Sequence, residues 1–457
     1  MKAKNISLEV TNKVLSANSG LILFENLWNQ LNLDKKLRRL MPKKKKSRGI
    51  SQTAKFKGLL FSFALGGDCI DDLEHLRDDS IFLELLGGEF ASRTAGDFLS
   101  QFHRRQIEKI QDLLLETALL IRASITDDPR FILSMDSTPH KQSGVKMEKL
   151  ATNYKGIWGF DSQNAYDQYG ISYLFDLRPG NTFSSVESER WIHKVFSKVP
   201  KHLERWFRAD SAYGKNKVYE ALQAAQVKFT IVLRENVARY VRKKTRESLD
   251  WKETDIHFFG SDNCQIAMSI YPVKNLRVVF IRKKKSDEEI KEQQLEFFGE
   301  YDEEEMDYRY YSIITNIDSS EMSNPEIIDF YRGRANCENY IKEQKHNFDF
   351  LHFPCKKFVA NQVWGLIGTF AHNMTRVLGF CMDQKMKRVR GKDGLVRTVV
   401  QRGYFAKKVR DVLIKVPCQV VRSARRIKLK MNVHNKEVLG KIMANIYLMF
   451  SRVTLFT

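Results

Sequence analysis

Three acidic residues, Asp136, Asp210 and Glu338, stand where regular structure can hold a carboxylate in place. Asp136 ends an apolar run, Phe131-Ile132-Leu133-Ser134-Met135, that reads as a strand, and Asp210 follows a second strand-like run, Arg205 to Ala209. Glu338 lies in a segment that reads as one long helix. Strand-end carboxylates joined by one from a neighbouring helix suit hard divalent cations. Two such ions, about 3.5–4 Å apart, stabilise the attacking and leaving oxygens of an in-line phosphoryl displacement. Taken singly, a strand-end Asp is often only a turn former or cap. The helix says more. Tyr331, Arg334, Glu338 and Lys345 fall at offsets 0, 3, 7 and 14. At about 100° per residue they project within about 60° of one another. One face then presents an aromatic hydroxyl, a guanidinium, a carboxylate and an ammonium. The bland alternative is a solvated stripe with Glu338 paired to Arg334 four residues earlier. Against it, Glu326 and Glu343 fall well off that face. A carboxylate flanked by cations makes sense where it binds metal and they bind phosphate.

The elements that must carry these residues change character along the chain. Residues 1–125 read as mostly helical, with apolar-rich stretches over 21–40, 53–65, 70–86 and 92–102, and Gly66-Gly67 and Gly87-Gly88 as turns. This suits a helix-turn-helix reader and a plain bundle equally. From 130 the pattern becomes strand, strand over 171–177, helix over 186–199, strand, helix over 218–226 and strand over 228–233, an α/β unit with a mixed sheet. Residues 240–307 break it with short strand-like pieces (255–259, 265–271, 276–281) and a stretch from Asp287 to Asp307 holding 11 acidic residues and one Lys. A strand over 310–317 resumes the unit. Asn324-Pro325 then opens the long helix, Asn324 suited to capping and Pro325 to the first helical position.

Composition limits the partner. The chain has 457 residues, 76 Lys and Arg against 55 Asp and Glu, and a formal charge of +21. Residues 1–57 carry +11 and residues 356–457 carry +18, which leaves −8 for the middle. Basic ends around a slightly acidic middle suggest a polyanion held by the ends and worked on by the middle. The run Lys43-Lys44-Lys45-Lys46, the segment 385–390 and the strip containing Arg422, Arg425 and Arg426 read as phosphate contacts. Arg190, Lys215 and Lys217 are further candidates for lining the path of that polyanion. No segment reads as a membrane span, since 362–382 contains His372, Asn373 and Arg376. Lys2, Lys4, Asn5 and Glu9 do not form a signal-peptide core. Six scattered cysteines without a C-x-x-C pair argue for reduced thiols and a cytoplasmic setting.

Tyr331-x2-Arg334-x3-Glu338-x6-Lys345, within YRGRANCENYIKEQK, resembles the Y(2)R(3)E(6)K signature of DDE transposases of bacterial insertion sequences. Asp136-Ser137-Thr138 resembles their D-x-T motif, and Arg208-Ala209-Asp210-Ser211-Ala212-Tyr213 their R-x-D-x-x-[FY] motif. The stretch from Asp71 to Phe102 is similar to that of insertion-sequence family 1380, a relative of family 4, and the resemblance spans roughly residues 20–450. It implies an RNase H-like catalytic domain (126–239 and 308–381) interrupted by a β-rich insertion (240–307). A helical DNA-binding region (1–125) and a basic C-terminal region (382–457) complete it. It implies that Asp136, Asp210 and Glu338 hold two Mg²⁺ ions, with Mn²⁺ able to substitute. Tyr331, Arg334 and Lys345 would touch DNA phosphates. The implied reaction is hydrolysis at terminal inverted repeats followed by strand transfer into target DNA, by a homodimer holding two double-stranded ends. Some such enzymes stack a flipped base on a tryptophan of the insertion. Trp251 is the one tryptophan in 240–307; it could serve, but packing that module's small core is the reading that leads. His140 reads either as a phosphate-side histidine or as a structural one. Two other readings stay open: a domesticated transposase that only binds DNA, and a structure-selective RNase H-type nuclease.

Overall fold

The computed structural model describes residues 9–44, 48–272, 274–290, 307–382, 387–390, 396–399, 403–424 and 426–453. Lys45, Lys46, Lys385, Arg425 and most of the acidic stretch lie outside the described residues.

The strands in chain order are β1 (Leu15–Ser16), β2 (Arg130–Lys141), β3 (Ala151–Thr152), β4 (Trp158–Tyr166), β5 (Ser172–Pro179), β6 (Glu204–Ala209), β7 (Lys228–Val232), β8 (Lys252–Thr254), β9 (Cys264–Tyr271), β10 (Leu276–Lys284), β11 (Tyr308–Thr315), β12 (Lys387–Arg390), β13 (Val396–Val399), β14 (Cys418–Ser423) and β15 (Arg426–Lys430). One mixed sheet runs β3-β4-β2-β6-β7-β11-β10-β9-β8, with β5 on the outer side of β4. β2, β4 and β5 pair antiparallel, while β2, β6 and β7 pair parallel. Helix Asn216–Ala224 crosses over between the parallel neighbours β6 and β7, and helix Ser188–Lys198 leads from β5 to β6, as parallel strands require crossovers. β11 lies antiparallel to β7, so β8–β11 continue the same sheet at its edge.

The expected order of elements holds, with four corrections. β2 is twelve residues long and carries Asp136 in its middle, opposite Asn164 of β4. Asp136 is therefore not at a strand end. Second, β4 was not evident in the sequence: its buried Asp161, Ser162, Gln163 and Asn164 hide any apolar alternation. Third, residues 255–259 form no strand, only an isolated bridge between Phe258 and Ser261. Fourth, the long helix is two helices, Asn324–Arg332 and Ala335–Asn347, meeting at Gly333-Arg334. Its cap is Ser323, not Asn324: Ser323 and Glu326 form a capping box, while Asn324 Oδ1 accepts from Arg277.

The core is built on the helix Phe358–Met382, most of whose residues are buried. It packs against the 22-residue helix Arg104–Ile125, helix Gln52–Leu65 and β5. Gly365 lets it approach, since a Cβ there would lie 2.1 Å from the Phe175 ring. Among the described residues no helix is long and apolar enough to cross a membrane, and all six cysteines are free. The two basic ends are one folded unit. β1 pairs with β14, and Arg410 donates to the Phe63 and Ala64 carbonyls.

Candidate active site

Asp136 comes from β2, Asp210 from the end of the adjacent β6, and Glu338 from the first turn of Ala335–Asn347. Parallel pairing fixes Met135 opposite Ala209, which sets the two aspartates side by side. A backbone amide pins one oxygen of each: Ser137 N donates to Asp136 Oδ1 (2.8 Å), and Ala212 N donates to Asp210 Oδ1 (3.0 Å). The other oxygens turn toward a common guanidinium. Arg334 lies 2.7 Å from Asp136 Oδ2, 3.8 Å from Asp210 Oδ2 and 3.2 Å from Glu338 Oε1.

The helix junction makes this convergence possible. Gly333 and Arg334 keep helical dihedrals, but the bonds tighten: Arg334 N bonds the Tyr331 carbonyl and Cys337 N the Arg334 carbonyl. Gly333 leaves room for Arg208, since a Cβ there would fall 2.2 Å from Arg208 Nη1 and the guanidinium would have to shift. The buried Arg208 donates to Ser134 Oγ and the Phe330 carbonyl, tying β2 and β6 to the helix pair. Burial holds its pKa down to about 10.

Charge is unevenly balanced. Three carboxylates face one guanidinium. Burial pushes Asp136 up to about 6; Arg334 opposes this, while Asp210 and Glu338 add to it. Burial works against the Arg334 charge, but its carboxylate neighbours, Asp136 foremost, hold its pKa above the ordinary value. Asp136 and Arg334 are nearly buried, whereas Glu338 is 55% exposed and opens the site to solvent. The donor set suits a hard cation: carboxylate oxygens only, each Asp preset by a backbone amide. Among the described residues the ligand atoms that lie within 4.8 Å of one another belong to a different group, Asp68, Cys69 and Asp72, whereas Asp136, Asp210 and Glu338 are gathered around Arg334. There Asp72 Oδ2 already accepts from the Asp68 and Cys69 amides, so it caps a turn.

The other expected site residues divide into near and far. Tyr331 is buried beside Tyr311, and burial raises its pKa. Lys345 Nζ donates to the Pro139 carbonyl at 2.7 Å; burial lowers its pKa, opposed by Asp161 and Asp136. Lys345 thus meets β2, the strand that carries Asp136. His140 is buried between the Phe350 carbonyl and Ser162 Oγ, and burial holds its pKa down to about 3. It is a structural histidine. Trp251 is half-buried, with the Arg282 guanidinium 3.9 Å from its ring centre and Phe280 and Tyr310 alongside. Lys43, Lys44, Arg422 and Arg426 are exposed on the helical and C-terminal side. Lys44 bonds the Gly49 carbonyl and Arg422 pairs with Glu84.

Sequence reasoning missed a supporting layer. Ser137 Oγ meets Ser184 Oγ at 2.7 Å, and Gln163 Nε2 and Arg178 Nη1 both donate to the Ser184 carbonyl. Arg178 is paired in turn with the buried Asp161. Buried Asp, Gln and Arg on a strand were the available signal, since such groups need partners.

No curated protein matches the chain. Residues 1–450 match the family described as transposase DDE domain group 1. With nearly its whole length covered, the chain belongs to the transposase DDE domain group 1 family.

Proposed function

We propose that this transposase cuts DNA at the terminal inverted repeats of an insertion sequence and joins the freed 3′-hydroxyl to target DNA, in a cut-and-paste reaction. One observation carries the reading: carboxylates from positions 136, 210 and 338 meet on a single guanidinium that lies between strands and helix. Pure DNA binding has no need of three convergent acids.

Asp136, Asp210 and Glu338 would hold Mg²⁺, or Mn²⁺ in its place. A two-ion centre of this kind supplies Lewis acidity at the phosphoryl oxygens and a nucleophilic water at neutral pH. The chain's own residues position the DNA. Arg334, beside all three carboxylates, would donate to a scissile phosphate. Lys345, braced on Pro139, and Tyr331, packed on Tyr311 of β11, would be further contacts to the DNA. In the first step water adds to phosphorus and the 3′-oxygen departs as a hydroxyl. In the second, that hydroxyl attacks a target phosphodiester and displaces a target 3′-hydroxyl, so one ester is exchanged for another. Tyr331 is no nucleophile in this scheme, because its burial and raised pKa keep the phenol protonated.

The order β5-β4-β2-β6-β7, antiparallel then parallel, supports an RNase H-like core, with 240–307 as an insertion that lengthens the sheet. The joined basic ends would hold flanking duplex. Two ends must be cut and joined together, which favours a two-fold homodimer, working in the cytoplasm on nucleoid DNA. The test is incubation of end-labelled repeat DNA with Mg²⁺, Mn²⁺ or EDTA. Nicks at the repeat boundary are expected with either metal and not with EDTA; cutting in EDTA contradicts the reading.

A further inference from the structure

The turn between β5 and helix Ser188–Lys198 presents Phe183 to solvent at 46% exposure. An exposed phenyl ring is ordinary on a loose loop, but this turn is firmly anchored. Arg178 Nη1 holds the Ser184 and Val186 carbonyls, Gln163 also holds Ser184, and Ser188 Oγ donates to the Ser185 carbonyl. The anchoring leads directly to the acidic centre. Ser184 Oγ bonds Ser137, whose amide bonds Asp136. From the other side, Arg234 Nε donates to the carbonyl of Ser211, the residue after Asp210.

Two cations meet on the Phe183 ring. Lys215 Nζ lies 4.2 Å and the Arg234 guanidinium 5.8 Å from its centre. Burial and the neighbouring Arg234 both lower the Lys215 pKa, and Glu189 opposes them only in part. Arg234 Nη2 is buried without a hydrogen-bond partner. Like charges side by side, one of them with an unused donor, call for an anion. An exposed ring with cations at its rim is the arrangement that receives a nucleobase and its phosphate. The core of a protein interface, by contrast, is depleted of charge.

We propose that Phe183, Lys215 and Arg234 form a subsite for an unpaired nucleotide, its base stacked on Phe183 and its phosphate held by the two cations, immediately beside the Asp136–Asp210 pair. The proposal rests on the transposase reading above, and supplies a seat for a strand that has left the duplex at the cleavage point. It is separate from Trp251, whose ring is stacked against Arg282.

The test measures binding of a labelled single-stranded oligothymidylate and of a duplex of equal length by fluorescence anisotropy, with wild type and Phe183→Ala, Phe183→Leu and Phe183→Trp. Unchanged circular dichroism confirms that each variant folds. Ala and Leu are expected to weaken single-strand binding about tenfold while duplex binding moves less than about twofold. The Trp variant is expected to retain single-strand affinity, its added emission quenched by the oligonucleotide. Wild-type single-strand affinity in Phe183→Leu, or equal losses on both DNAs, overturns the subsite. Failure of wild type to bind either DNA overturns the transposase reading instead.

Discussion

Arg334 is the electrostatic keystone of the centre, and its replacement has a pH-dependent consequence. It offsets part of the burial that lifts Asp136 to about 6. Removing it leaves a nearly buried carboxylate facing two others. We expect Arg334→Ala to cost roughly 3 kcal/mol at pH 8, where Asp136 is ionised. The cost should shrink toward pH 5, where Asp136 takes up a proton; thermal denaturation at both pH values checks this. Asp349 gives a second titration. Burial foremost, then Asp68, lifts it to about 8. Between about pH 4 and 8 the native carboxyl keeps a proton that the unfolded chain has lost, so stability falls as pH rises through that window. Asp349→Asn should match wild type in Tm at pH 4.5 and exceed it at pH 8 by roughly 1–2 kcal/mol of stability. At this scale the sequence displayed the acids and their spacing. It displayed Arg208 beside Asp210 but concealed what Arg208 does, and it concealed Gln163 and Ser184 altogether, because these roles depend on carbonyls and hydroxyls brought near only by strand pairing.

Two local devices set the geometry of the helix pair. The first is the capping box of Ser323 and Glu326, which fixes where Asn324–Arg332 starts. Ser323→Ala should lower stability by about 1 kcal/mol, read by urea denaturation, with DNA affinity unchanged. The second is the junction at Gly333. Gly333→Ala would force the anchored Arg208 to shift, so a loss of about 1–3 kcal/mol is expected together with a loss of cleavage. A variant as stable and active as wild type would show that Arg208 gives way freely. The helix face was legible from a 3.6-residue period because both halves keep helical dihedrals through the junction. The junction was not, since its cause is a side chain on β6. Likewise β2 and β6 showed as apolar runs, whereas β4 did not, because its buried groups are polar and satisfied across the sheet.

Over the whole molecule, charge and topology act together. The basic ends, separate in sequence, share a sheet through β1 and β14 and pack on one helical layer. The composition announced a polyanion partner, but not this union, which depends on contacts nearly 400 positions apart, such as Ser19 Oγ donating to the Val416 carbonyl. If 6–10 phosphates are neutralised, DNA affinity should fall by about 10³–10⁵ between 50 and 200 mM salt. A salt-insensitive affinity would show that the basic surface lies off the DNA path. The most direct test of the account compares wild type with Glu338→Gln on the same labelled repeat DNA, measuring binding and metal-dependent cutting together. The account predicts equal binding and at least about a hundredfold slower cutting by the variant. Equal cutting by both proteins would contradict it, because the carboxylate of the helix signature would then have no part in the chemistry.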